Sequence, residues 1–395
     1  MGTQAGVGIS HHRNPRIAGQ QAATQALAEA AVERPDFVLL FATVGYDQRA
    51  VLDAVRERTA GAPLIGCSAE GIIVRNEADE SNFSVAVMAI RSDEVRFRNV
   101  LATGLKADPA GAGRAIAETI RPDVGSDALG LFVFADPLSF NFDRFVAGLE
   151  ATLALERPLP LLGGEAGDNW SMARTYQYCD DRVVSDGVAA ALWSGTAHLA
   201  WAVNHGCTPI GTQRTVTRSQ ANDIFEIDHR PVLDVFGEYL TKEERQSWMR
   251  AVGNLAMGMK AAPEMGSYDA YVVRAILRRD DGAASVGLST EMPEGTSVWV
   301  MRRDQDKIAR GLQRIADELK TAVGDRPPKL VLQFECAGRG KVIFRDEPKV
   351  QLHRRLQHEL APGTPWLGFY TYGEISPVGE RNCYHNYTSV VATLS

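Results

Sequence analysis

Three glycine-bearing segments of this 395-residue chain hold the residues best suited to chemistry: GCSAEG at 66–71, GGEAGDNW at 163–170 and GFYTYGE at 368–374. Gly163, Gly164 and Gly167 permit a tight turn with positive φ, whose exposed N–H groups suit an anionic ligand group. Asp168 and Asn169 follow directly and can bond an amine or hydroxyl, or cap the turn through their own backbone. Cys67, with Ser68 beside it, and Cys336 in FECAGRG (334–340) stand next to glycines at expected strand ends. A thiol there can face a pocket or serve as a small buried hydrophobe. Arg339, between Gly338 and Gly340, has the planar fork that takes a carboxylate with two bonds. Glu374 closes an apolar run, where a buried carboxylate needs a ligand amine, Arg339 or a capping role to satisfy it. His385 with Asn386 precedes the final strand, where an imidazole can ligate haem iron, hydrogen-bond a ligand or be purely structural. His11, His12, His198 and His205 are weaker alternatives for an axial ligand.

Two kinds of chemistry follow. The first is ligand binding at the glycine loops. The second is catalysis by a hydrolase or transferase acting on a small metabolite, using Cys67 or Cys336 with His385 and Glu374. It requires a thiol within hydrogen-bond reach of a histidine held by an acid. The chain has no G-x-S-x-G elbow, H-E-x-x-H zinc helix or Walker loop, and no C-x-x-C-H for covalent haem attachment. The glycine patterns are not dinucleotide fingerprints, because no helix of the right length follows them.

Bulk properties narrow the partners. A net charge of −7 and a pI near 5.7 give nucleic acid or an anionic membrane no electrostatic foothold. No run approaches 18 consecutive apolar residues, and the N-terminus lacks a basic start followed by an apolar stretch. The five cysteines are odd in number and scattered, without a C-x-x-C pair, which fits a reduced cytoplasmic setting.

These residues must be positioned by alternating strands and helices. Residues 21–33 are Ala-rich with helical spacing, and Pro35 stops them before the buried strand Phe37–Val44. A helix over Tyr46–Thr59, a short strand Pro63–Cys67 and a strand Phe83–Ile90 follow, with Val95–Ala102 expected to pair beside the last. The order returns with strand Ala128–Ala135, helix Phe142–Leu153 and the short run Pro160–Leu162, and again with strand Leu330–Cys336, helix Gln351–Leu360 and PWLGFYTYGE at 365–374. PLIGCSAEG (63–71), PLLGGEAGD (160–168) and PWLGFYTYGE share a Pro-apolar-apolar-Gly element, so three related βαβ units end on loops at strand carboxyl ends, the usual place for a ligand. Asp304–Thr321 has Ile308, Leu312, Ile315 and Leu319 on one face of a helix. A helix begins at Pro231, and a domain boundary near 225–230 divides a region 35–225, after an N-terminal helical segment 1–34, from a region 226–395. The expected fold is mixed α/β, in two domains of strand–helix–strand units around a ligand cleft.

The ordered set of motifs resembles the FIST family, with an N-terminal FIST N and a C-terminal FIST C domain. GCSAEG, GGEAGDNW, HGCTPIG (205–211), IFEIDHRPVLDVF (224–236), FECAGRG, GFYTYGE and HNYTSV (385–390) carry the resemblance over roughly residues 35–393. The sequence departs from the family pattern at Glu70-Gly71 and at His229, where the pattern has glycine. The resemblance implies a sensory protein that binds a small ligand, such as an amino acid, and signals to a partner. One branch binds haem b and reports nitric oxide to a histidine kinase, which would make His385 the metal ligand. A homodimer is one assembly it leaves open.

Overall fold

The computed structural model describes residues 2–247, 254–265 and 268–395. The chain forms two compact units: Met1–Val203 with Leu312–Tyr384 and Ser389–Ser395, and Asn204–Gly311 with His385–Thr388. The division falls at 203/204 and 311/312.

The first unit is a threefold repeat, and each copy runs strand, helix, strand, helix, strand, short hairpin, strand. The first copy is Thr3–Ser10, Pro15–Ala30, Phe37–Thr43, Gln48–Arg58, Leu64–Ala69, the pair Gly71–Val74 and Glu77–Asp79, then Val85–Ser92. The second runs from Val95–Thr103 to Gly187–Gly195, and the third from Leu199–His205 to Thr388–Leu394, with the second unit's main segment inserted after its first strand. The repeat therefore starts at residue 3. The N-terminal segment expected to be helical holds a strand as well as a helix, and that strand takes the place beside Val85–Ser92. Val95–Thr103, expected there, instead pairs with Gly187–Gly195 in the second copy's sheet.

Local chemistry sets the helices. Asn14, Asp47, Asp108 and Asn141 each cap one, their side-chain oxygens accepting backbone N–H groups of the first turn. Pro15 and Pro109 occupy first-turn positions, where a missing N–H costs nothing. Leu312, Ile315 and Leu319 are buried in one core cluster, as the spacing predicts.

Each copy builds its sheet around a parallel pair, with Leu40 opposite Gly66, Val133 opposite Gly163 and Gln333 opposite Gly368. A Cβ on these glycines would lie 1.8, 2.0 and 2.3 Å from the carbonyl oxygens of Leu40, Val133 and Gln333. The shared Pro-x-x-Gly element thus records a backbone approach that only glycine allows. The hairpins then exchange in a ring. The one after the first copy's loop joins the third sheet, the one after the second joins the first sheet, and the one after the third joins the second sheet. The sheets' inner faces meet in an aromatic core. Phe41 lies 5.1 Å from Phe134 and 4.4 Å from Phe369, and Phe134 lies 6.0 Å from Phe334, all as ring centroids.

The second unit is an antiparallel barrel. Ser297–Arg303, Arg214–Gln220, Asp223–Ile227, Ser285–Leu288, Tyr271–Asp280 and Leu255–Lys260 pair in that order, and the last closes on the first. Closure removes the exposed edges. The helix begun at Pro231 is short, Val232–Gly237, and its Val232, Val235 and Phe236 pack into the barrel's core cluster. His229 has φ 60°, the region where glycine is least strained, which accounts for the glycine of the family pattern.

Candidate ligand-binding site

The ring of exchanged hairpins brings the three glycine loops of the first unit into contact. Gly167 N donates to Ser68 O (2.9 Å), Glu70 N to Tyr370 O (3.0 Å) and Glu165 N to Gly373 O (2.8 Å). Gly167 is required, since a Cβ there would lie 2.3 Å from Glu70 N. Ser68 is fully buried and works as a latch: its Oγ donates to Gly167 O (2.8 Å) and accepts from Tyr176 N (3.0 Å).

Asp168 organises the loop that follows. Its buried carboxylate accepts from Ser171 Oγ (2.7 Å) and the backbone N–H groups of Met172 (3.0 Å), Ala173 (2.7 Å) and Arg174 (3.0 Å), and it shares the single proton of Tyr372 Oη (3.0 Å) with Glu70. Burial pushes the Asp168 carboxyl up, but the bonds from Ser171, Ala173, Arg174 and Tyr372 outweigh it and hold the group below its ordinary value. Of the two roles open to Asp168, capping the turn is the one realised. The loop it holds is strained: Asn169, Trp170 and Met172 have φ 57°, 59° and 48°. It is also exposed, with Trp170 43% and Met172 48% accessible.

Behind this loop lies a charged corner. Glu70, 2% exposed, accepts from Tyr372 Oη (2.8 Å) and Trp170 N (3.0 Å) through Oε2, while its Oε1 faces Lys341 Nζ at 3.3 Å. Burial raises the Glu70 carboxyl, and Tyr372 and Lys341 partly reverse this. Tyr372 is held as a phenol by its own burial and by the Glu70 charge. Its ring lies 5.4 Å from the Trp170 ring. Beneath, Glu80 Oε2 accepts from Lys341 N (2.7 Å) and pairs with the buried Lys349 (2.6 Å). Gly340 makes room, since a Cβ there would lie 2.4 Å from Glu80 Oε1.

The remaining expected residues are dispersed. Cys67 is fully buried opposite Gln177, and burial keeps its thiol protonated. Cys336 is buried at the end of its strand. Arg339, 2% exposed, already has its carboxylate: its Nε donates to Glu335 Oε1 at 2.6 Å. Gly164 and Glu374 face each other in register, and a Cβ on Gly164 would lie 2.6 Å from Thr371 Oγ1. Glu374 is fully buried. His385 and Asn386 belong to the second unit, where Asn386 Oδ1 accepts from Ala275 N (3.0 Å) and Ser289 Oγ. The His385 ring is 1% exposed and lies 5.6 Å from the Tyr268 ring. None of the five cysteines forms a disulfide.

Sequence reasoning missed Glu70, Lys341, Trp170 and Tyr372 as site residues, although three stand inside the quoted motifs and Lys341 directly follows Gly340. It also missed Glu165, which occupies the place of Ser68 in the second copy. Glu165 is fully inside the first unit, and its carboxyl is pushed up to about 8 by burial and by the Asp136 charge, against the bond from Tyr384 Oη (2.8 Å).

Residues 36–230 match the FIST N domain and residues 233–377 the FIST C domain. The chain belongs to the FIST family. Family domains of this kind are small-ligand sensory domains. Similar proteins include an uncharacterised protein of Mycobacterium tuberculosis, 28% identical over 405 residues and 98% of both chains. An uncharacterised protein of Methanocaldococcus jannaschii is 23% identical, covering 84% of this chain and 64% of its own. Among solved structures, this FIST chain is similar to a chorismatase (TM-score 0.40, 9% identity, 100% of this chain and 99% of that one). It is likewise similar to a cyanuric acid hydrolase from A. caulinodans (TM-score 0.37, 8% identity, the same coverage). Among the described residues, no helix is long and apolar enough to cross a membrane.

Proposed function

We propose that this FIST protein is a cytoplasmic small-ligand sensor that recognises its ligand at the corner of Glu70, Asn169, Trp170, Lys341 and Tyr372. The observation that carries this reading is the Asn169–Arg174 loop, which holds three non-glycine residues at positive φ yet presents an indole to solvent. Such strain persists only where surrounding bonds enforce it, and it gathers at binding sites. The bonds Trp170 N to Glu70 and Trp170 N to Tyr372 Oη (2.6 Å) tie the exposed loop to the buried carboxylate. A ligand that engages Glu70 differently with the loop docked or released biases one arrangement, and a partner such as a histidine kinase reads the result.

The carboxylate, carbonyl and amide oxygens of the corner suit the ammonium group of an amino acid. Haem fits less well: His385 is 1% exposed, with the Tyr268 ring 5.6 Å away, so iron ligation requires the packing around it to open. Covalent catalysis by Cys67 is disfavoured by the burial that keeps its thiol protonated. Five cysteines without a disulfide are consistent with a reducing compartment.

The test is a thermal-shift titration of wild type and Trp170→Ala with ferric haem and with each common amino acid. The expected result is a saturable rise in Tm with one probe, lost in Trp170→Ala. An equal rise in both proteins places the binding elsewhere and refutes the site, and silence with every probe refutes both ligand classes.

A further inference from the structure

Resting on that reading, we infer that the corner is a site for a primary ammonium group, and that the Lys341 ammonium is a displaceable plug within it. Three oxygens from three separate segments surround Lys341 Nζ: Glu70 Oε1 at 3.3 Å, Glu80 O at 3.4 Å and Asn169 Oδ1 at 3.4 Å. All are acceptors, one of them carries charge, and none belongs to the lysine's own segment. This is the donor-seeking geometry that an R–NH₃⁺ group satisfies with its three N–H bonds.

The lysine fills the site poorly. Charge-assisted N⁺–H···O bonds settle at about 2.7–2.9 Å, and all three contacts here are longer. Glu70 Oε1 is buried and, among the described residues, has no well-formed hydrogen bond, its contact there being the Lys341 ammonium at 3.3 Å. An orphaned buried carboxylate oxygen is costly, so a closer cation is favoured. Lys341 is free to leave: its backbone is anchored by the bond from its N–H to Glu80, but its side chain is 36% exposed. By contrast Lys349, 2% exposed and 2.6 Å from Glu80, is a permanent member of the corner. The exposed Trp170 indole provides an apolar, electron-rich face for the carbon chain that carries the ammonium. The site therefore selects a small primary amine cation, with the charged end on Glu70 and the alkyl part toward Trp170.

The experiment is calorimetric titration of the full chain with butylammonium chloride, using tetramethylammonium and butyrate as controls, on wild type, Lys341→Met and Lys341→Met/Glu70→Gln. Removing the plug should tighten butylammonium binding about tenfold relative to wild type, and the added Glu70→Gln change should weaken it about a hundredfold. Tetramethylammonium, which donates no hydrogen bond, should bind at least tenfold more weakly, and butyrate not at all. Circular dichroism on each variant shows that the fold is retained; Lys341→Met alters only a half-exposed side chain and keeps the test decisive should the double variant unfold. Equal affinity in wild type and Lys341→Met, or tetramethylammonium binding as tightly as butylammonium, would overturn the inference. Trp170-dependent Tm shifts with another probe, alongside such a result, would refute the ammonium assignment while leaving the sensor reading standing.

Discussion

Replacing Glu165 by Gln removes a carboxyl that the fold holds neutral. Its ionisation is pushed up to about 8 in the folded protein, against an ordinary value of 4.5, chiefly by complete burial and secondarily by the Asp136 charge. Between these two values the unfolded chain has released the proton and the folded chain has kept it. The folded state binds more protons there, so stability falls as pH rises. The contribution is intact below 4.5 and declines until the folded group itself ionises near 8. Each pH unit crossed costs about 1.4 kcal/mol, so at pH 7 the wild type carries a penalty of about 3 kcal/mol from this residue alone. Glutamine has nearly the same shape, offers Tyr384 Oη the same kind of acceptor, and never ionises. Glu165→Gln is therefore expected to match wild type within about 1 kcal/mol at pH 5 and to exceed it by about 3 kcal/mol at pH 7. Urea unfolding of both proteins at half-unit intervals from pH 5 to 8, followed by far-ultraviolet circular dichroism, measures the difference. Parallel pH profiles would show that Glu165 is ionised in the folded protein and would refute the reasoning. Asp136→Asn should leave the onset of the wild-type decline unchanged and end it at a lower pH, because it removes the charge that adds to the burial effect.

Four further outcomes are expected. Gly66→Ala sets a Cβ 1.8 Å from Leu40 O inside a parallel pair and should destabilise the first unit by roughly 3 kcal/mol or more in urea unfolding. Gly363→Ala, at φ 78° with no atom within 4 Å, should cost only about 1 kcal/mol. Lys349→Met leaves Glu80 buried without its cation and should cost about 3–5 kcal/mol, and adding Glu80→Gln should recover most of the loss. Asp168→Ala removes the acceptor of five hydrogen bonds and should speed amide exchange over 169–174 at least tenfold while leaving the strands unchanged. In wild type, the Asp168 carboxyl lies below its ordinary value when folded, so the order it imposes is present at neutral pH and is lost as pH falls through that lowered value.

The repeat was legible because its signature is steric. Gly66, Gly163 and Gly368 are forced by a carbonyl in the neighbouring parallel strand, so the same element recurs wherever the same strand pair is built. The buried face of Gln305–Val323 was legible for similarly local reasons, and the Phe142–Leu153 helix falls where its apolar spacing places it. The ring exchange of Gly71–Val74, Gln177–Cys179 and Glu374–Val378 was not, because antiparallel pairing between distant strands leaves no local mark. Thr3–Ser10 escaped because Gly6 and Gly8 interrupt its apolar pattern, yet those glycines let it approach the helix Pro15–Ala30: a Cβ on them would lie 2.3 Å from Ala26 O and 2.0 Å from Ala22 O. In the site, sequence picked Arg339 and Asp168 for their chemistry. Which carboxylate each residue meets is set by long-range packing, and the structure gives Arg339 to Glu335 and commits Asp168 to its own loop. Glu70, Tyr372 and Lys341 come from three sequence regions, and only the exchanged hairpins make them neighbours.

The central claim is that a ligand is recognised where the strained loop meets Glu70. Amide hydrogen exchange of the full chain, with and without saturating butylammonium, tests it most directly. Slower exchange is expected, confined to 168–174 and to the residues flanking Glu70 and Lys341, and absent in Glu70→Gln. Protection elsewhere with these segments unchanged would contradict it.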